Sequence, residues 1–389
     1  MSVSLRGTVN LPGSKSESNR ALMIAAYGGF PIEVDNLSDA HDTVLLKQML
    51  GLTSLRAERS GTRQSTVVNI VDCEDAGTVA RFLLTYLAGK PGNWLLTGTE
   101  RLCQRPMAPL IDALRQLGAT IIGEGLPLRI IGKPINGGRV VLDASKSSQF
   151  ASSLLLAAPT WEQGLQLTLT DRPVSMPYLV MTLKMMEHFG VQAITEGNTI
   201  MVKHQPYQQR PFTVSADWSA ASYWYEMMAL SDGGELLLKG LSEHSLQGDV
   251  IVSEWFKPLG VATTFCKQGA RLKKVALDSQ GLAFDFTDHP DLFPAVYVTC
   301  KALHVDAVFN GLSTLTTKES DRLKALQTEL DRIPSDTTSL LPVFRTFNDH
   351  RVAMALAALW PVLGTITVDD PSVVAKSYPG FWKELSRLI

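Results

Sequence analysis

The stretch LRQLGATI at 114–121 joins the end of an amphipathic helical pattern to a β-prone run through Gly118. The same design recurs in MEHFGVQA, around Gly190, and in WFKPLGVA, around Gly260. A glycine directly after the last periodic residue signals a helix end, because glycine adopts the left-handed conformation at little cost. The three glycines lie 72 and 70 residues apart (190 minus 118, and 260 minus 190). This spacing predicts repeated α/β units of about 70 residues, although a fourth candidate, ELDRIP from Glu329, lacks the glycine.

Length and composition narrow the class of protein. A chain of 389 residues is too long for one ordinary core, so we predict two domains. The 36 basic and 38 acidic residues leave a net charge of −2, which argues against a nucleic-acid partner. The four scattered cysteines form no CxxC pair or zinc pattern, which is typical of a reducing compartment. Because the N-terminus has no apolar signal segment and no apolar run is long enough to span a membrane, we expect a cytoplasmic protein without a membrane partner.

Several predicted helices begin with small or polar residues. The free N–H groups and partial positive charge of a helix N-terminus favour anions, so these starts indicate binding of phosphates or carboxylates. The helices predicted from periodicity span 18–26, 78–87, 147–157, 177–188 and 349–358.

Two segments of the first half combine cations with small residues. LPGSKSESNR carries Lys15 and Arg20 at a turn and an early helical position, but it is no P-loop. In DAGTVAR, Gly77 permits close approach of the backbone, and we predict that Thr78 caps a helix. Ordinary surface caps would explain both segments equally well.

The next candidates lie further along the chain. Arg105 precedes a proline that we predict to open a helix, and its guanidinium can bind an oxyanion through two hydrogen bonds. The Ser-Ser-Gln run that starts at Ser147 provides two hydroxyls and an amide at a helix start, and Ser175 and Tyr178 precede and open another helix. These groups suit a phosphate or sugar-like hydroxyls. Alternatively, the serines are ordinary helix caps and Arg105 is a solvated side chain.

Acids and cations concentrate in the second half. Asp291 precedes a strongly apolar helix, so we predict a raised pKa that suits a general base. In KESDR, we predict that Lys318 opens a helix and shares a face with Arg322. NDHR contributes Arg351, and Lys376 follows near the C-terminus. The inventory, with neither a metal set nor a nucleotide loop, predicts a protein that binds small polyanions and moves protons without metal or cofactor.

The ordered motifs LPGSKS, SNRAL, AGT, DALRQLGA, SSQF, KESDRL and NDHR resemble those of the EPSP synthase family, the enolpyruvyl transferases that act on shikimate-3-phosphate. The resemblance runs from Leu11 to about Tyr378. It implies an α/β (α+β) fold of two similar domains, each with three βαβαββ-type units, arranged like an inside-out barrel. The N-terminal domain would span 14–215, and the C-terminal domain 1–13 plus 216–389, with the active site in the interdomain cleft.

The resemblance also implies roles for individual residues. Asp291 would accept the proton of the attacking 5-hydroxyl, Glu319 would protonate the methylene carbon of phosphoenolpyruvate, and Lys15 would assist proton transfer. The phosphoenolpyruvate ligands would be Lys15, Gly77, Arg105, Gln149, Arg322, Arg351 and Lys376. The shikimate-3-phosphate ligands would be Lys15, Ser16, Arg20, Ser147, Ser148, Gln149, Ser175, Tyr178, Asp291, Thr314 and Lys318. We expect a monomer.

Some positions depart from the family pattern, and two other functions remain open. Asp75 and Thr314 stand where the family usually has Asn, and Phe82 stands where many members have Pro. One alternative is the sister transferase acting on UDP-N-acetylglucosamine, which typically carries a reactive cysteine in the region of Cys103. The other is a non-catalytic anion-binding paralogue, although binding alone would not require both Asp291 and Glu319.

Overall fold

A computed structural model describes residues 3–31, 33–59, 68–278, 280–334 and 340–389, without the side chains of 54–59. The chain divides into two compact units. Unit 1 comprises Met1–Lys15, Asn36–His41 and Val214–Ile389, and unit 2 comprises Ser16–Asp35 and Asp42–Thr213. The domain bounds expected from the sequence, 14–215 and 1–13 plus 216–389, stay a prediction.

The strands are β1 (Ser4–Asn10), β2 (Val34–Asp35), β3 (Asn69–Asp72), β4 (Gly92–Thr97), β5 (Thr120–Ile122), β6 (Leu128–Gly132), β7 (Gly138–Leu142), β8 (Leu165–Leu169), β9 (Ala193–Glu196), β10 (Thr199–Val202), β11 (Phe212–Thr213), β12 (Gly233–Lys239), β13 (Val261–Cys266), β14 (Gly269–Lys274), β15 (Leu282–Asp285) and β16 (Ala307–Asn310).

The helices are α1 (Lys15–Gly28), α2 (His41–Arg59), α3 (Gly77–Ala88), α4 (Glu100–Cys103), α5 (Ala108–Gln116), α6 (Ser148–Ala157), α7 (Met176–His188), α8 (Trp218–Leu230), α9 (Val252–Trp255), α10 (Phe293–Ala302), α11 (Arg322–Leu330), α12 (His350–Ala357), α13 (Trp360–Leu363) and α14 (Phe381–Ser386). The five helices predicted from periodicity correspond to α1, α3, α6, α7 and α12, with small differences at their ends.

Three four-stranded sheets share one topology. Their orders are β3-β4-β6-β5 and β7-β8-β10-β9 in unit 2, and β1-β12-β14-β13 in unit 1. In each sheet the first pair is parallel and the other two pairs are antiparallel. In unit 2, α3 and α6 each lie between the parallel strands, and α5 and α7 each precede the closing hairpin, which is the predicted βαβαββ order. In unit 1, α8 precedes β12 and α9 precedes the hairpin, although all of unit 2 also lies between β1 and β12 in the chain. The predicted α/β repeat is therefore confirmed for these three sheets.

Two of the three glycines that revealed the repeat follow helices as predicted, since Gly118 and Gly190 lie two residues after the ends of α5 and α7. Gly260 instead closes a turn, five residues after the last residue of α9. Gly118, Gly190 and Gly260 have φ values of 86°, 86° and 89°. In each case the residue after the glycine donates its N–H to a carbonyl five positions earlier, at 2.9 Å, as from Ala119 to Leu114. These bonds satisfy carbonyls that the helix end would leave without a partner.

The helices form the centre of each unit, and the sheets lie outside. Every residue of α8 in unit 1 is buried, and in unit 2 every residue of α3 except Thr78 is buried. A helix that is apolar on all sides requires cover on all sides, which explains its central position. One face of the sheets remains accessible, since Ile70 and Ile122 are 61% and 54% exposed. In the part of the chain that the structure describes, no helix is long and apolar enough to cross a membrane.

Candidate active site

The unit 1 cluster consists of Asp291, Lys318, Glu319, Arg322, Asp349 and Arg351. Its centre is Arg322, whose side chain is 1% exposed and contacts three carboxylates. Its Nη1 lies 2.9 Å from Asp291 Oδ1, its Nη2 lies 3.0 Å from Glu319 Oε2, and its Nε lies 3.0 Å from Asp349 Oδ2. A buried guanidinium is stable when its donors are paired with carboxylates in this way.

Asp291 lies among three cations. Arg351 Nη2 donates to Asp291 Oδ2 at 2.8 Å, and Lys318 Nζ lies 3.5 Å from Oδ1, where Arg322 also binds. Burial of this carboxyl would raise its pKa, but the charges of Arg351, Lys318 and Arg322 outweigh burial and hold the pKa well below its ordinary value. The prediction of a raised pKa is therefore wrong. The apolar helix α10 follows Asp291, but the cations decide its ionisation.

The KESDR segment does not start a helix at Lys318. Lys318 ends a 3₁₀ turn, Leu312–Thr317, and α11 begins only at Arg322. Asp321 is the N-cap of α11, and its side chain accepts the N–H of Lys324 at 3.2 Å. Lys318 and Arg322 still meet at Asp291, because the non-helical segment before α11 brings both side chains there.

Asp349 organises the start of α12. It is 0% exposed, caps the helix by accepting the N–H of Arg351 at 2.9 Å, and accepts the Ser320 hydroxyl at 3.0 Å. The next residue, His350, is buried, and its pKa is held well below the ordinary value by burial and by the charges of Arg351 and Lys15. His350 is therefore neutral in the folded protein. Arg351 lies in the first turn of α12, from which its side chain reaches Asp291.

Three other predicted residues lie in unit 1. Lys376 is buried at the end of a 3₁₀ turn, Pro371–Lys376. Thr314 is 8% exposed, and its Oγ1 has no hydrogen-bond partner among the described residues. Lys15 begins α1, and its backbone N–H donates to Asp217 Oδ2 at 3.2 Å. The hydrogen bond to Asp217 thus fixes the backbone of Lys15, the last residue of the Met1–Lys15 segment of unit 1.

The unit 2 cluster surrounds the start of α3 and consists of Gly77, Thr78, Arg81, Arg105 and Gln149. A Cβ atom at Gly77 would lie 2.7 Å from Arg105 Nη1 and 2.8 Å from Arg81 Nη1. Only glycine leaves room for two guanidinium groups at this helix N-terminus, which itself favours anions. The arrangement concentrates positive potential in a place where a phosphate could bind.

Gln149 and Thr78 complete this cluster. Gln149 Oε1 accepts from Arg81 Nη1 at 2.7 Å, and Gln149 Nε2 donates to Thr78 Oγ1 at 2.9 Å. The prediction that Thr78 caps α3 is wrong, because Ala76 occupies the N-cap position without a side-chain hydrogen bond. Ser147 does cap α6, since its hydroxyl accepts the N–H of Gln149 at 3.2 Å.

A hydrogen bond from α3 holds the backbone beside Arg105. Arg81 Nη2 donates to the carbonyl of Pro106 at 3.1 Å. The prediction that Pro106 opens the following helix is wrong, since α5 begins at Ala108 and contains Pro109 in its first turn. The Arg81 link instead fixes the backbone directly after Arg105.

Arg20 forms a second cationic centre in unit 2. It is 2% exposed, and it donates to Thr182 Oγ1 at 2.7 Å, Ser152 Oγ at 3.3 Å and the carbonyls of Ser16 and Tyr178 at 3.0 and 3.1 Å. Burial lowers its pKa to about 10, against the opposing influence of Tyr178 and Glu17. Arg20 is therefore a buried cation whose hydrogen bonds go to neutral oxygens.

The remaining predicted residues in unit 2 lie near helix starts. Ser148 is buried in the first turn of α6, and the ring of Tyr178 lies 5.9 Å from the guanidinium carbon of Arg20. Ser175 precedes α7 with a left-handed φ of 56° and makes no capping hydrogen bond. A non-glycine residue in this conformation is strained and is often found at functional sites.

Sequence reasoning gave no role to Arg81 or Asp349, although both lie inside quoted motifs. Arg81 follows Gly77 by four positions, so both lie on one face of α3, which was a usable signal. Asp349 carried an N-cap signal before an apolar helix, but nothing local indicated that it also binds Arg322, 27 residues away. Such long-range pairs depend on the tertiary fold.

Comparison with known proteins identifies the family. The family model of EPSP synthase (3-phosphoshikimate 1-carboxyvinyltransferase) matches residues 1–385. A 3-phosphoshikimate 1-carboxyvinyltransferase of Bacteroides fragilis is 42% identical over 404 aligned positions, covering 98% of this chain and 95% of the relative. One from Methanospirillum hungatei is 32% identical, covering 97% and 94% of the two chains. The solved structure of EPSP synthase from Acinetobacter baumannii has a TM-score of 0.71 at 22% identity, covering 100% of this chain and 96% of that chain, which supports the same fold.

The carboxylate–cation cluster of unit 1 and the cationic cluster of unit 2 are the groups expected of an enzyme that binds small anions and transfers protons. The chain belongs to the EPSP synthase family, as the full-length match and the 42% identical relative show. It is therefore an enzyme of the shikimate pathway, which leads to chorismate and the aromatic amino acids.

Proposed function

We propose that the chain transfers the enolpyruvyl group of phosphoenolpyruvate to the 5-hydroxyl of shikimate-3-phosphate, giving 5-enolpyruvylshikimate-3-phosphate and phosphate. The family match supports this reaction. The observation that carries the assignment of residues is the arrangement of Asp291 and Glu319 on the same buried Arg322. Two carboxylates held by cations are what a reaction needs when it both removes a proton from oxygen and adds one to carbon.

The phosphoenolpyruvate ligands are divided by charge. Arg322 and Arg351 bind its carboxylate, because both already hold the carboxylate of Asp291 at 2.9 and 2.8 Å. Arg105 and Lys376 bind its phosphate, with the backbone at Gly77, and Lys15 and Gln149 complete the ligand set. Guanidinium groups suit these planar and tetrahedral oxyanions because they form paired hydrogen bonds.

The shikimate-3-phosphate ligands include hydroxyls, an amide and cations. Arg20, with Ser147, Ser148 and Ser175, supplies the phosphate contacts. The other ligands are Lys15, Ser16, Gln149, Tyr178, Asp291, Thr314 and Lys318. The lowered pKa of Arg20 supports this role, because a buried cation that burial destabilises gains most from an anion placed beside it.

The reaction proceeds by addition and then elimination. Asp291 accepts the proton of the 5-hydroxyl as its oxygen attacks C2 of phosphoenolpyruvate, and Glu319 protonates the methylene carbon, which gives a tetrahedral ketal. Loss of phosphate, with return of a methyl proton to a carboxylate, forms the enol ether. Arg322, Arg351 and Lys318 depress the pKa of Asp291. The substrate carboxylate must therefore take the place of Asp291 on the two arginines before Asp291 can act as a base.

The alternatives make different predictions. The sister transferase would use a UDP-sugar and a reactive cysteine, but Cys103 donates its thiol to the carbonyl of Gly98, at 3.6 Å. The family match favours shikimate-3-phosphate instead. The anion-binding paralogue would turn over neither substrate.

Cellular location, assembly and domain bounds belong to the same proposal. The enzyme acts in the cytoplasm as a monomer, with domains 14–215 and 1–13 plus 216–389. The four free cysteines support a reducing location. Light scattering across protein concentrations tests the monomer, since a mass near twice 42.5 kDa would contradict it.

Phosphate release from phosphoenolpyruvate tests the reaction. We expect release by the wild type only when shikimate-3-phosphate is present, and its loss in Glu319→Gln. Asp321→Asn is the matched control, because asparagine also caps a helix and Asp321 is the N-cap of α11, where its side chain accepts the N–H of Lys324 at 3.2 Å. Release with a UDP-sugar instead would assign the sister reaction, and release with neither acceptor would favour the binding protein.

A further inference from the structure

Unit 1 contains a row of buried polar side chains to which the proposed reaction gives no role. Its buried members are Asp217, Ser219, Gln247 and Asp249, and His289, whose side chain is 16% exposed, lies at one end. The first four are 5%, 3%, 1% and 0% exposed. Burying so many polar groups is unfavourable unless their hydrogen bonds are satisfied, so the geometry of the row is informative.

One end of the row holds the backbone at Lys15. Asp217 Oδ2 accepts the Lys15 N–H at 3.2 Å, and Asp217 Oδ1 accepts the Ala220 N–H at 3.0 Å as the N-cap of α8. The backbone N–H of Asp217 donates to the carbonyl of Pro12 at 3.0 Å. The position at which the Lys15 side chain leaves the backbone is therefore defined by Asp217.

Gln247 connects Asp217 to Ser219, and the direction of each hydrogen bond is determined. Gln247 Oε1 accepts the Trp218 N–H at 2.9 Å, so the other amide atom is the nitrogen. This Nε2 donates both hydrogens, to Asp217 Oδ1 at 3.1 Å and to Ser219 Oγ at 2.9 Å. Ser219 Oγ is then an acceptor from Gln247, and its single hydrogen goes to Asp249 Oδ2 at 2.5 Å.

The other end of the row reaches the turn that carries Asp291. Asp249 Oδ1 lies 3.5 Å from His289 Nδ1, and the His289 ring packs edge-on against Trp255 with centroids 5.5 Å apart. His289 lies two residues before Asp291, and its carbonyl accepts the Leu292 N–H at 3.1 Å across that turn. The hydrogen bonds thus run from the backbone of Lys15 to Asp249, and a close contact of 3.5 Å without a hydrogen bond continues to His289, in the turn that precedes Asp291.

We propose that Ser219, Gln247 and Asp249 are positioning residues that hold Lys15 and Asp291 in a fixed relation for the reaction. This inference rests on the roles proposed above for those two residues. A chain of hydrogen bonds with one allowed direction specifies geometry more strictly than apolar packing does. A shift of about 1 Å in a reacting group can reduce the rate by roughly 100-fold, so small changes in this row affect turnover.

The test uses two variants and one control. Gln247→Glu keeps the size and the acceptor for the Trp218 N–H but loses both donors, and Ser219→Ala removes the link to Asp249 with little change in volume. Ser253→Ala is the control, because that hydroxyl donates only within its own segment, to the Val250 carbonyl at 2.9 Å. Phosphate release by each variant is assayed with phosphoenolpyruvate and shikimate-3-phosphate. Circular dichroism measures the folded fraction of each variant, so that kcat is compared per folded molecule.

We expect kcat to fall about 10- to 100-fold in Ser219→Ala and at least as far in Gln247→Glu, with each KM within about threefold of the wild type. Ser253→Ala retains the wild-type kcat. A wild-type kcat per folded molecule in Ser219→Ala would overturn the proposal, as would an equal loss in Ser253→Ala.

Hydrogen exchange provides a readout that does not depend on the reaction. Peptides covering 12–20 and 286–292 exchange faster in Ser219→Ala and Gln247→Glu, and exchange is unchanged in Ser253→Ala. If the wild type releases no phosphate, the proposed function fails while this exchange pattern still tests the row. Unchanged exchange in both peptides would contradict the positioning role even in an active enzyme.

Discussion

Arg20 in unit 2 and Arg322 in unit 1 are both almost fully buried, at 2% and 1% exposure, yet their surroundings shift their pKa values in opposite directions. Burial lowers the pKa of Arg20 to about 10, whereas at Arg322 the carboxylates of Asp349, Glu319 and Asp291 outweigh burial and raise the pKa. The hydrogen bonds of Arg20 go to hydroxyls and carbonyls, and those of Arg322 go to acids.

In the proposed reaction, this difference separates substrate binding from proton transfer. A cation held by neutral groups keeps its charge for an incoming anion, so unit 2 is suited to recognition. In the unit 1 cluster, three cations (Lys318, Arg322, Arg351) balance three carboxylates (Asp291, Glu319, Asp349), so an anionic substrate must displace an acid already present. The displaced acid is then available for proton transfer.

Asp291→Asn tests this difference most severely. We expect kcat to fall by about 100- to 10,000-fold, because the proposed general base is lost. Binding of phosphoenolpyruvate should become tighter, since its carboxylate no longer competes with a charged side chain for Arg322 and Arg351. Titration calorimetry measures the affinity and a phosphate-release assay measures kcat.

Asp321→Asn is again the control and leaves both quantities near the wild type. Weaker phosphoenolpyruvate binding in Asp291→Asn would contradict the idea that this carboxylate occupies the substrate's place. Unchanged kcat would remove Asp291 from the role of base.

Gly77→Ala tests the unit 2 cluster. The added methyl would lie 2.7 Å from Arg105 and 2.8 Å from Arg81, so both flexible side-chain ends must move. We expect KM for phosphoenolpyruvate to rise about tenfold, the equivalent of one lost charge-assisted hydrogen bond, with little change in the unfolding midpoint. Gly51→Ala is the control, because a Cβ there meets no atom within 4 Å. An unchanged KM would show that the two guanidinium positions do not matter for binding.

Acid unfolding tests the charge balance in unit 1. The pKa of His350 is depressed by burial and by Arg351 and Lys15, whereas in the unfolded chain it is about 6.5. As pH falls below about 6.5, the unfolded chain therefore binds a proton that the folded chain refuses, and the unfolding free energy decreases by up to about 1.4 kcal/mol per pH unit. This loss is absent above that pH.

His350→Gln should reduce the slope of unfolding free energy against pH between about pH 6.5 and 4.5, as measured by urea unfolding. Below about pH 4, a second loss begins, because the folded-state pKa of Asp291 is depressed and its stabilising charge disappears as it becomes protonated. A slope unchanged by His350→Gln would show that this histidine is not held neutral.

Phe82→Leu should have the smallest effect. The guanidinium carbon of Arg20 lies 5.7 Å from the centroid of the Phe82 ring, a cation–π distance. Such a contact is worth about 0.5–1 kcal/mol, so we expect KM for shikimate-3-phosphate to rise about two- to fivefold. Phe150→Leu is the matched comparison, because Phe150 makes the same contact with Arg81, at 5.4 Å, and its loss should affect phosphoenolpyruvate instead. An equal change for both substrates in both variants would contradict separate binding roles.

The sequence predicted best what neighbouring residues determine. Gly118 and Gly190 close helix ends and Gly260 closes a turn after α9, all with a positive φ that is a local requirement, so the α/β repeat could be recognised from their spacing. Ser147 was correctly considered a cap for the same reason. At KESDR, however, several polar residues could cap α11, and the prediction started the helix at Lys318 although Asp321 is the cap.

Distant residues caused the larger error. Asp291 was predicted to have a raised pKa because its neighbours in sequence are apolar, but Lys318 and Arg351 lie 27 and 60 residues away and reverse the shift. The partners of Arg20 in α6 and α7, Ser152 and Thr182, are 132 and 162 residues distant. No local pattern specifies such pairs, because they exist only once the helices have packed.

Strand β1 has a consequence for how the chain is made. It pairs in parallel with β12, whose first residue, Gly233, comes 223 positions after Asn10, the last residue of β1 (233 minus 10). At a synthesis rate of about 5–20 residues per second, the ribosome needs roughly 10–45 s to supply the partner strand. During that time all of unit 2 is produced and can fold, while β1 waits with an unpaired edge. Translation speed and chaperones that shield nascent strands therefore bear on the yield of unit 1 more than on that of unit 2.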